Sequence, residues 1–155
     1  MIGMADTVKT QVMKALETAL IAGVAGVEKI HRREPIGTDL EKIKQAELFF
    51  YEEDHDRERG NRHAQGTIRL EMVAWVRLKA NNEHGYQIFY DRADEITAQV
   101  YMVMHGPSFL ASPVIRVKEG LKRPAIGNES FGELVLRYRI TYGHALNDPF
   151  TTILS

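Results

Sequence analysis

Two long stretches of this chain alternate apolar and polar residues, and they limit the possible folds more than any other feature of the sequence. They are Thr67–Lys79 and Phe131–Tyr142. Because side chains alternate across a strand, each stretch predicts a strand with one continuous apolar row. The opposite row mixes charged residues with large apolar ones. We therefore expect one face of a sheet to enter the core and the other to be available to partners.

The two apolar rows define the predicted core face of this sheet. They consist of Ile68, Leu70, Met72, Ala74, Val76 and Leu78 in the first strand, and of Leu134, Leu136, Tyr138, Ile140 and Tyr142 in the second. The first strand is long, because thirteen residues span roughly 40 Å. A domain of this size has a radius of gyration near ~15 Å, so such a strand crosses all of it.

Helical periodicity appears in two other parts of the sequence. Apolar residues at helical spacing predict a first helix over about residues 7–22, with Asp6 as its N-cap. The second helix follows the capping sequence Asn81-Asn82-Glu83 and ends at His105-Gly106-Pro107. Its predicted apolar stripe consists of Tyr86, Phe89, Tyr90, Ala93, Ile96, Val100 and Val103.

The remaining segments predict short strands and loops. The strands are Val27–His31, Ala46–Tyr51 and Val114–Lys118, and Thr38 with Glu41 suits a capping box. Residues 52–66 predict a charged flexible loop, 119–130 a second loop, and 143–155 a short C-terminal tail. The order of elements predicts an α+β fold with a mainly antiparallel mixed sheet and two helices packed on one face. We expect residues 1–155 to form a single domain.

Composition excludes several classes of function. The chain has 155 residues, a net charge of −1 and no cysteine. It therefore has no general field to attract nucleic acid, no disulfides and no thiolate metal site. Charges at Asp6, Lys9 and Lys14 interrupt any N-terminal apolar run, so we expect no signal peptide. No stretch reaches the ~18 apolar residues that a membrane span needs.

The charged loop holds the one cluster that resembles a set of metal ligands. It contains Asp54, His55, Asp56 and His63, but their spacing matches neither a calcium loop nor a helical zinc motif. A solvated loop is the preferred explanation of the cluster, with metal binding as the alternative. Similarly, we expect the basic residues Arg116, Lys118, Lys122 and Arg123 to form a loop surface, with a phosphate contact as the alternative. No catalytic fingerprint occurs, so we predict no catalytic residues, no metal, no cofactor and no enzyme.

Trp75 is the most informative single residue for a binding function. It is predicted on the face opposite the core, where Trp and Arg are typical interface anchors. The candidate interface consists of Arg69, Val73, Trp75, Arg77, Val135, Arg137 and Arg139. Two alternatives remain: a loop or the tail of the same chain covers Trp75, and the arginines pair with Glu71 and Glu133 across strands.

As a pattern, the chain resembles the tail terminator proteins of long-tailed bacteriophages, also called tail completion or minor tail protein U-like proteins. The resemblance covers nearly the whole chain. It is carried by QAELFFYEED before a charged segment, then by TIRLEMVAWVRLK, YQIFYDRADEITAQVYMVM and LVLRYRITYGH.

The resemblance implies a non-enzymatic ring, usually a hexamer, that caps the tail tube, ends its growth and provides the head-joining surface. Its partners would be further copies of itself, the tail tube protein and a head-completion or connector protein, without membrane or sequence-specific nucleic acid. It would be located in the virion tail after assembly in the host bacterial cytoplasm. Asp54, His55, Asp56, Arg57, Arg59 and Arg62 would contact the tube or the lumen. The alternatives are a small ligand-binding or regulatory α+β domain and an enzyme of unrecognised type.

Overall fold

The computed structural model describes residues 6–37, 42–59, 63–78, 82–106, 114–123, 131–145 and 148–152. Within these ranges the chain forms two helices and six strands. In chain order they are α1 (Val8–Gly23), β1 (Lys29–His31), β2 (Ala46–Arg59), β3 (His63–Arg77), α2 (Glu83–Met104), β4 (Val114–Arg123), β5 (Phe131–Ala145) and β6 (Asp148–Thr152).

Helix α1 matches the predicted span closely but begins with a different cap. The Thr7 hydroxyl accepts a hydrogen bond from the Thr10 backbone N–H at 3.2 Å. The predicted cap, Asp6, instead accepts from Lys14 Nζ at 2.7 Å. The prediction was wrong by one residue, because a hydroxyl directly before the first helical residue satisfies the same free N–H groups.

Helix α2 confirms both predicted ends and most of its stripe. The Asn82 side chain accepts from the Gly85 backbone N–H at 3.0 Å, and the helix ends before His105. Phe89, Ala93 and Ile96 are buried, but Tyr90 is 39% exposed. Including Tyr90 in the stripe was wrong, because the neighbouring Phe89 occupies the contact with the sheet. Its ring lies so close to Gly132 that a Cβ there would fall 2.3 Å from it.

The strands form one mixed sheet in the order β1-β2-β3-β5-β4, with β6 paired to the end of β5. Among the described strands, β1 and β2 are the one parallel pair, and the other pairs are antiparallel. Strand β3 occupies the centre and pairs with β2 on one side and with β5 on the other. The α+β prediction is confirmed.

The core lies between the helices and one face of this sheet. Leu70 and Ile140 are fully buried, and Leu136 is 4% exposed. From the helices, Leu16, Leu20 and Val100 join the same cluster at 0% exposure. Both predicted apolar rows therefore face the core, and the assignment of the two sheet faces is confirmed.

Three segments predicted as irregular are strands in the structure. Most of the predicted loop 52–66 belongs to β2 and β3, and the predicted tail contributes the end of β5 and all of β6. Strand β4 runs to Arg123, beyond the predicted end at Lys118. What a strand requires is a neighbouring strand that pairs with its backbone N–H and C=O groups, and apolar side chains are not necessary. Polar segments can therefore continue as strands beside β3 and β5. The predicted capping box at Thr38 and Glu41 lies outside the described residues.

Replacing Leu136 by Asp is expected to prevent folding. The substitution places an unpaired carboxylate in the core, at a cost of roughly 5 kcal/mol, which is comparable with the whole stability of a small domain. Circular dichroism during urea unfolding measures the effect. Gln87→Asp, at an exposed position near the start of α2, is the control and should stay within about 0.5 kcal/mol of the parent. A folded Leu136→Asp variant with an unchanged midpoint would contradict the face assignment.

The free energy of unfolding is expected to fall at alkaline pH because Tyr138 is buried. Burial raises the pKa of its phenol to about 12, from 10 in the unfolded chain. Between these values the unfolded chain releases a proton that the folded chain keeps, so stabilisation is complete below pH 10 and is lost as pH rises towards 12. Tyr138→Phe should flatten the decline of the unfolding free energy by up to about 1.4 kcal/mol per pH unit. The same flattening in the control Tyr90→Phe would exclude burial as the cause.

Candidate functional site

The face of the sheet opposite the helices holds the candidate interface, and we call it the reverse face. Along each of β2, β3 and β5, every second residue points to this face and the residues between point to the core. The register of the three strands places the residues of this face side by side. Its members with described side chains are Glu47, Phe49 and Tyr51 on β2, Arg69, Glu71, Val73, Trp75 and Arg77 on β3, and Phe131, Glu133, Val135, Arg137 and Arg139 on β5.

The centre of the reverse face is apolar and buried. Phe49, Val73 and Val135 form one rung across β2, β3 and β5. Their exposed fractions are 0%, 4% and 9%. Val73 and Val135 were predicted as interface residues, but they offer little exposed apolar area themselves. Together with Phe49 they form a buried apolar layer, which longer side chains of the reverse face cover.

Two basic residues from the segment around β1 cover Phe49. The His31 ring stacks on Phe49 with centroids 4.7 Å apart, and the Arg33 guanidinium carbon lies 5.1 Å from the Phe49 centroid. His31 is held by Glu47, whose Oε1 lies 2.6 Å from His31 Nε2. Glu47 is only 5% exposed, and this contact compensates for burying its carboxylate. Sequence reasoning missed this cluster, because the parallel β1–β2 pairing that assembles it has no local signal.

Trp75 is half-buried, and residues of its own chain hold it in place. Its ring lies 5.6 Å from Phe49 between centroids, at a tilt of 58°. Its indole N–H donates to Glu133 Oε2 at 3.2 Å. Trp75 is therefore partly covered by residues of the neighbouring strands, and its role in an interface stays a prediction. Its orientation is fixed before any partner arrives.

Arg77 has a structural role in addition to its position in the predicted interface. Its Nε and one terminal nitrogen both donate to the Ile43 carbonyl oxygen, at 2.9 and 2.7 Å. Its guanidinium lies over the Phe131 ring at 4.7 Å, within the range of a cation–π contact. Arg77 thereby ties the segment before β2 to the ends of β3 and β5.

Most of the remaining polar side chains of the reverse face lie along the strands beyond the apolar rung, on the side away from Trp75. Arg137 Nε lies 4.0 Å from Glu71 Oε2, and the Arg137 side chain is 47% exposed. Burial and the neighbouring Glu71 carboxylate raise the pKa of Tyr51 to about 12. Arg69 and Arg139 are register partners and are half-buried. Arg137 is therefore the most accessible of the predicted interface arginines.

The residues predicted to contact the tube or lumen occupy the far half of β2. Asp54, His55, Asp56, Arg57 and Arg59 are in register with residues 64–69 of β3. Arg62 lies outside the described residues. The structure thus places this charged segment at the border of the sheet, where a strand replaces the predicted flexible loop.

An open cleft lies between α1 and β1, next to the His31 cluster. Its volume is about 620 Å³, and its lining is mostly polar, with Lys14, Glu17, Arg32 and Arg33 among the contributors. Across the described residues, no three His, Cys, Asp or Glu side chains are grouped to hold a metal ion. In the same part of the chain, neither helix is long and apolar enough to cross a membrane.

Comparison with known proteins identifies the fold. No family model and no curated protein matches the sequence. A chain from the virion of a native gene transfer agent particle superposes with a TM-score of 0.63 at 12% identity, over 88% of this chain and 97% of that one. The two proteins share a fold. The sheath/tube terminator of the extracellular contractile injection system PVC, in its extended state, is less similar: TM-score 0.48, 15% identity, 99% of this chain and 61% of that one.

Removing the Arg77 guanidinium should destabilise the fold. Arg77→Met keeps most of the aliphatic stem but leaves the Ile43 carbonyl without its donors, which should cost about 2 kcal/mol. Arg137→Met is the matched control on the same face, and its long, partly exposed ion pair predicts a cost below about 0.5 kcal/mol. Urea unfolding of both variants measures the difference. Equal midpoints would show that the Ile43 contact contributes no net stability.

Proposed function

We propose that this protein is a structural subunit of a phage-tail-like particle, acting as a tail terminator. In this role it forms a non-enzymatic ring on the end of the tail tube, stops tube growth and provides the surface for head joining. Further copies of the chain, the tail tube protein and a head-completion protein are its partners. The protein is located in the virion tail after assembly in a bacterial cytoplasm.

The observation that carries the proposal is the shared fold with a chain of a virion particle. The likeness extends over 97% of that chain at a TM-score of 0.63, so it includes nearly the whole architecture. It agrees with the resemblance of the sequence pattern to tail terminators, which depends on the strands and α2. Fold and sequence pattern are separate lines of support, since the structural match has only 12% identity.

The reverse face is the proposed contact surface for partners. It combines a half-buried tryptophan, fixed by Phe49 and Glu133, with an exposed arginine at position 137. A preorganised Trp side chain suits a partner surface, because little side-chain entropy is lost on binding, and Arg is a typical residue beside such an anchor. Asp54–Arg59, at the border of the same sheet, add charged residues for the tube or the lumen.

A ring imposes a condition on the subunit that a symmetric dimer does not. Two different surfaces of each copy have to meet, and the rotation between copies has to close. The proposed ring is a hexamer, as in the family that the sequence resembles. A protein of this kind is expected to assemble on its target, so the isolated chain can be monomeric without contradicting the proposal.

Trp75→Ala should weaken partner binding while leaving the subunit folded. The change removes the largest preorganised side chain of the reverse face, and interface tryptophans typically contribute 2 kcal/mol or more, about thirtyfold in affinity. Sedimentation of the purified chain, alone and with tail tubes, measures the loss. Ile21→Ala, at an exposed position of α1, is the control and should sediment like the parent.

Two outcomes of that experiment would count against the proposal. A Trp75→Ala chain that is unfolded by circular dichroism would make Trp75 a core residue rather than a partner contact. A parent chain that neither self-associates nor cosediments with tail tubes would exclude the terminator function.

A further inference from the structure

Two strands of the sheet have an edge without a neighbour in the described part of the chain. Strand β4 pairs only with β5, and residues 50–59 of β2 pair only with β3, since β1 covers no more than residues 47–49. Each open edge is about ten residues long. Long open edges present unpaired N–H and C=O groups, and such edges readily accept a further strand.

The two edges carry opposite charge. Residues 50–59 contain five acidic and two basic residues, which gives a net charge of −3 with histidine neutral. Strand β4 contains four basic residues and one acidic residue, which gives +3. Since the whole chain carries −1, this separation is a local property of the two edges. Each edge repels a copy of itself and attracts the other, which favours head-to-tail contacts over a symmetric dimer.

Strand direction is compatible with the same contact. β2, β3, β5 and β4 alternate in direction across the sheet. A neighbour related by rotation about an axis roughly parallel to the strands keeps its direction, so its β2 runs antiparallel to the β4 beside it. The four-strand alternation therefore continues from copy to copy without a break.

One rung of the sheet gives the register of this contact. Asp54, Arg69, Arg139 and Arg116 are register partners across β2, β3, β5 and β4. Arg116 is the last residue of this rung, and an acidic residue directly opposite it on the next strand forms a favourable cross-strand pair. If Asp54 of the next copy lies opposite Arg116, the same rung continues into that copy. The order along it is then one aspartate followed by three arginines, repeated in each subunit.

We propose that copies of this chain join edge to edge, with β4 of one subunit pairing antiparallel to residues 50–59 of the next, to form a sheet that continues around the ring. The proposal rests on the proposed function for its ring and specifies the subunit contact. It leaves the reverse face of every subunit free for the tube or the lumen.

Cysteine cross-linking tests the contact directly, because the natural chain contains no cysteine. His55→Cys and Ile115→Cys lie one rung from the Asp54–Arg116 rung, so the proposed register places them opposite each other. Cα atoms of directly opposed residues lie about 4.5–5.5 Å apart, within the range for a disulfide. Oxidising a mixture of the two variants should give a mixed dimer, whereas Thr18→Cys on α1, mixed with Ile115→Cys, should give at least tenfold less.

Charge reversal provides a second measurement that does not depend on disulfide formation. Arg116→Glu and Asp54→Arg should each weaken self-association, or assembly on tail tubes, by about tenfold or more. A chain carrying both changes restores an opposite pair at every contact and should recover to within about threefold of the parent. Amide hydrogen exchange should show protection of residues 50–56 and 114–120, which face each other in this register, in the assembled form relative to the monomer.

The outcomes separate this proposal from the one on which it rests. Assembly that proceeds without the specific cross-link and without protection of either edge would overturn the edge contact and leave the terminator function standing. Failure of the doubly reversed chain to recover, with both single variants folded, would also overturn it. A parent chain that assembles neither alone nor on tail tubes would overturn both proposals.

Discussion

Strand β3 is the element on which the rest of the structure depends. It pairs along nearly its whole length with β2 on one side and along all of it with β5 on the other, so its register sets the faces of both neighbours. A shift of one residue would turn Leu70 and Met72 away from the helices and bring Glu71 and Val73 beneath them. The fully buried row on β3 excludes that shift, and it thereby fixes where every residue of the reverse face lies.

The two faces of the sheet are stabilised by different kinds of contact. The helix-facing side is an apolar core, in which side chains from α1 and α2 interdigitate with three strands. The reverse face has a narrow apolar rung at Phe49, Val73 and Val135, surrounded by stacked rings and polar contacts such as that of His31 with Glu47. Such a surface holds Trp75 in a defined position and leaves part of its ring, together with the Arg137 side chain, accessible.

Sequence reasoning succeeded where periodicity is continuous and failed where pairing is decided at a distance. The alternation in β3 and β5 predicted both faces of the sheet, and the stripe of α2 predicted its packing apart from Tyr90. The charged segment after Tyr51 has no apolar alternation, so its strand could not be read from local pattern. It is a strand because β3 continues beside it and supplies the backbone partners. The His31–Glu47–Phe49 cluster was missed for the same reason.

The sequence by itself determined the fold class, the two helices, the core row of each long strand and the placement of Trp75 on the opposite face, because these follow from residue periods of 3.6 and 2. Tertiary structure decided which strands are neighbours, and hence the buried pairing of Glu47, the anchoring of Arg77 on Ile43 and the positions of the two charged edges. Contacts between residues far apart in the chain determine which strands are neighbours, so a local sequence pattern does not predict the strand order.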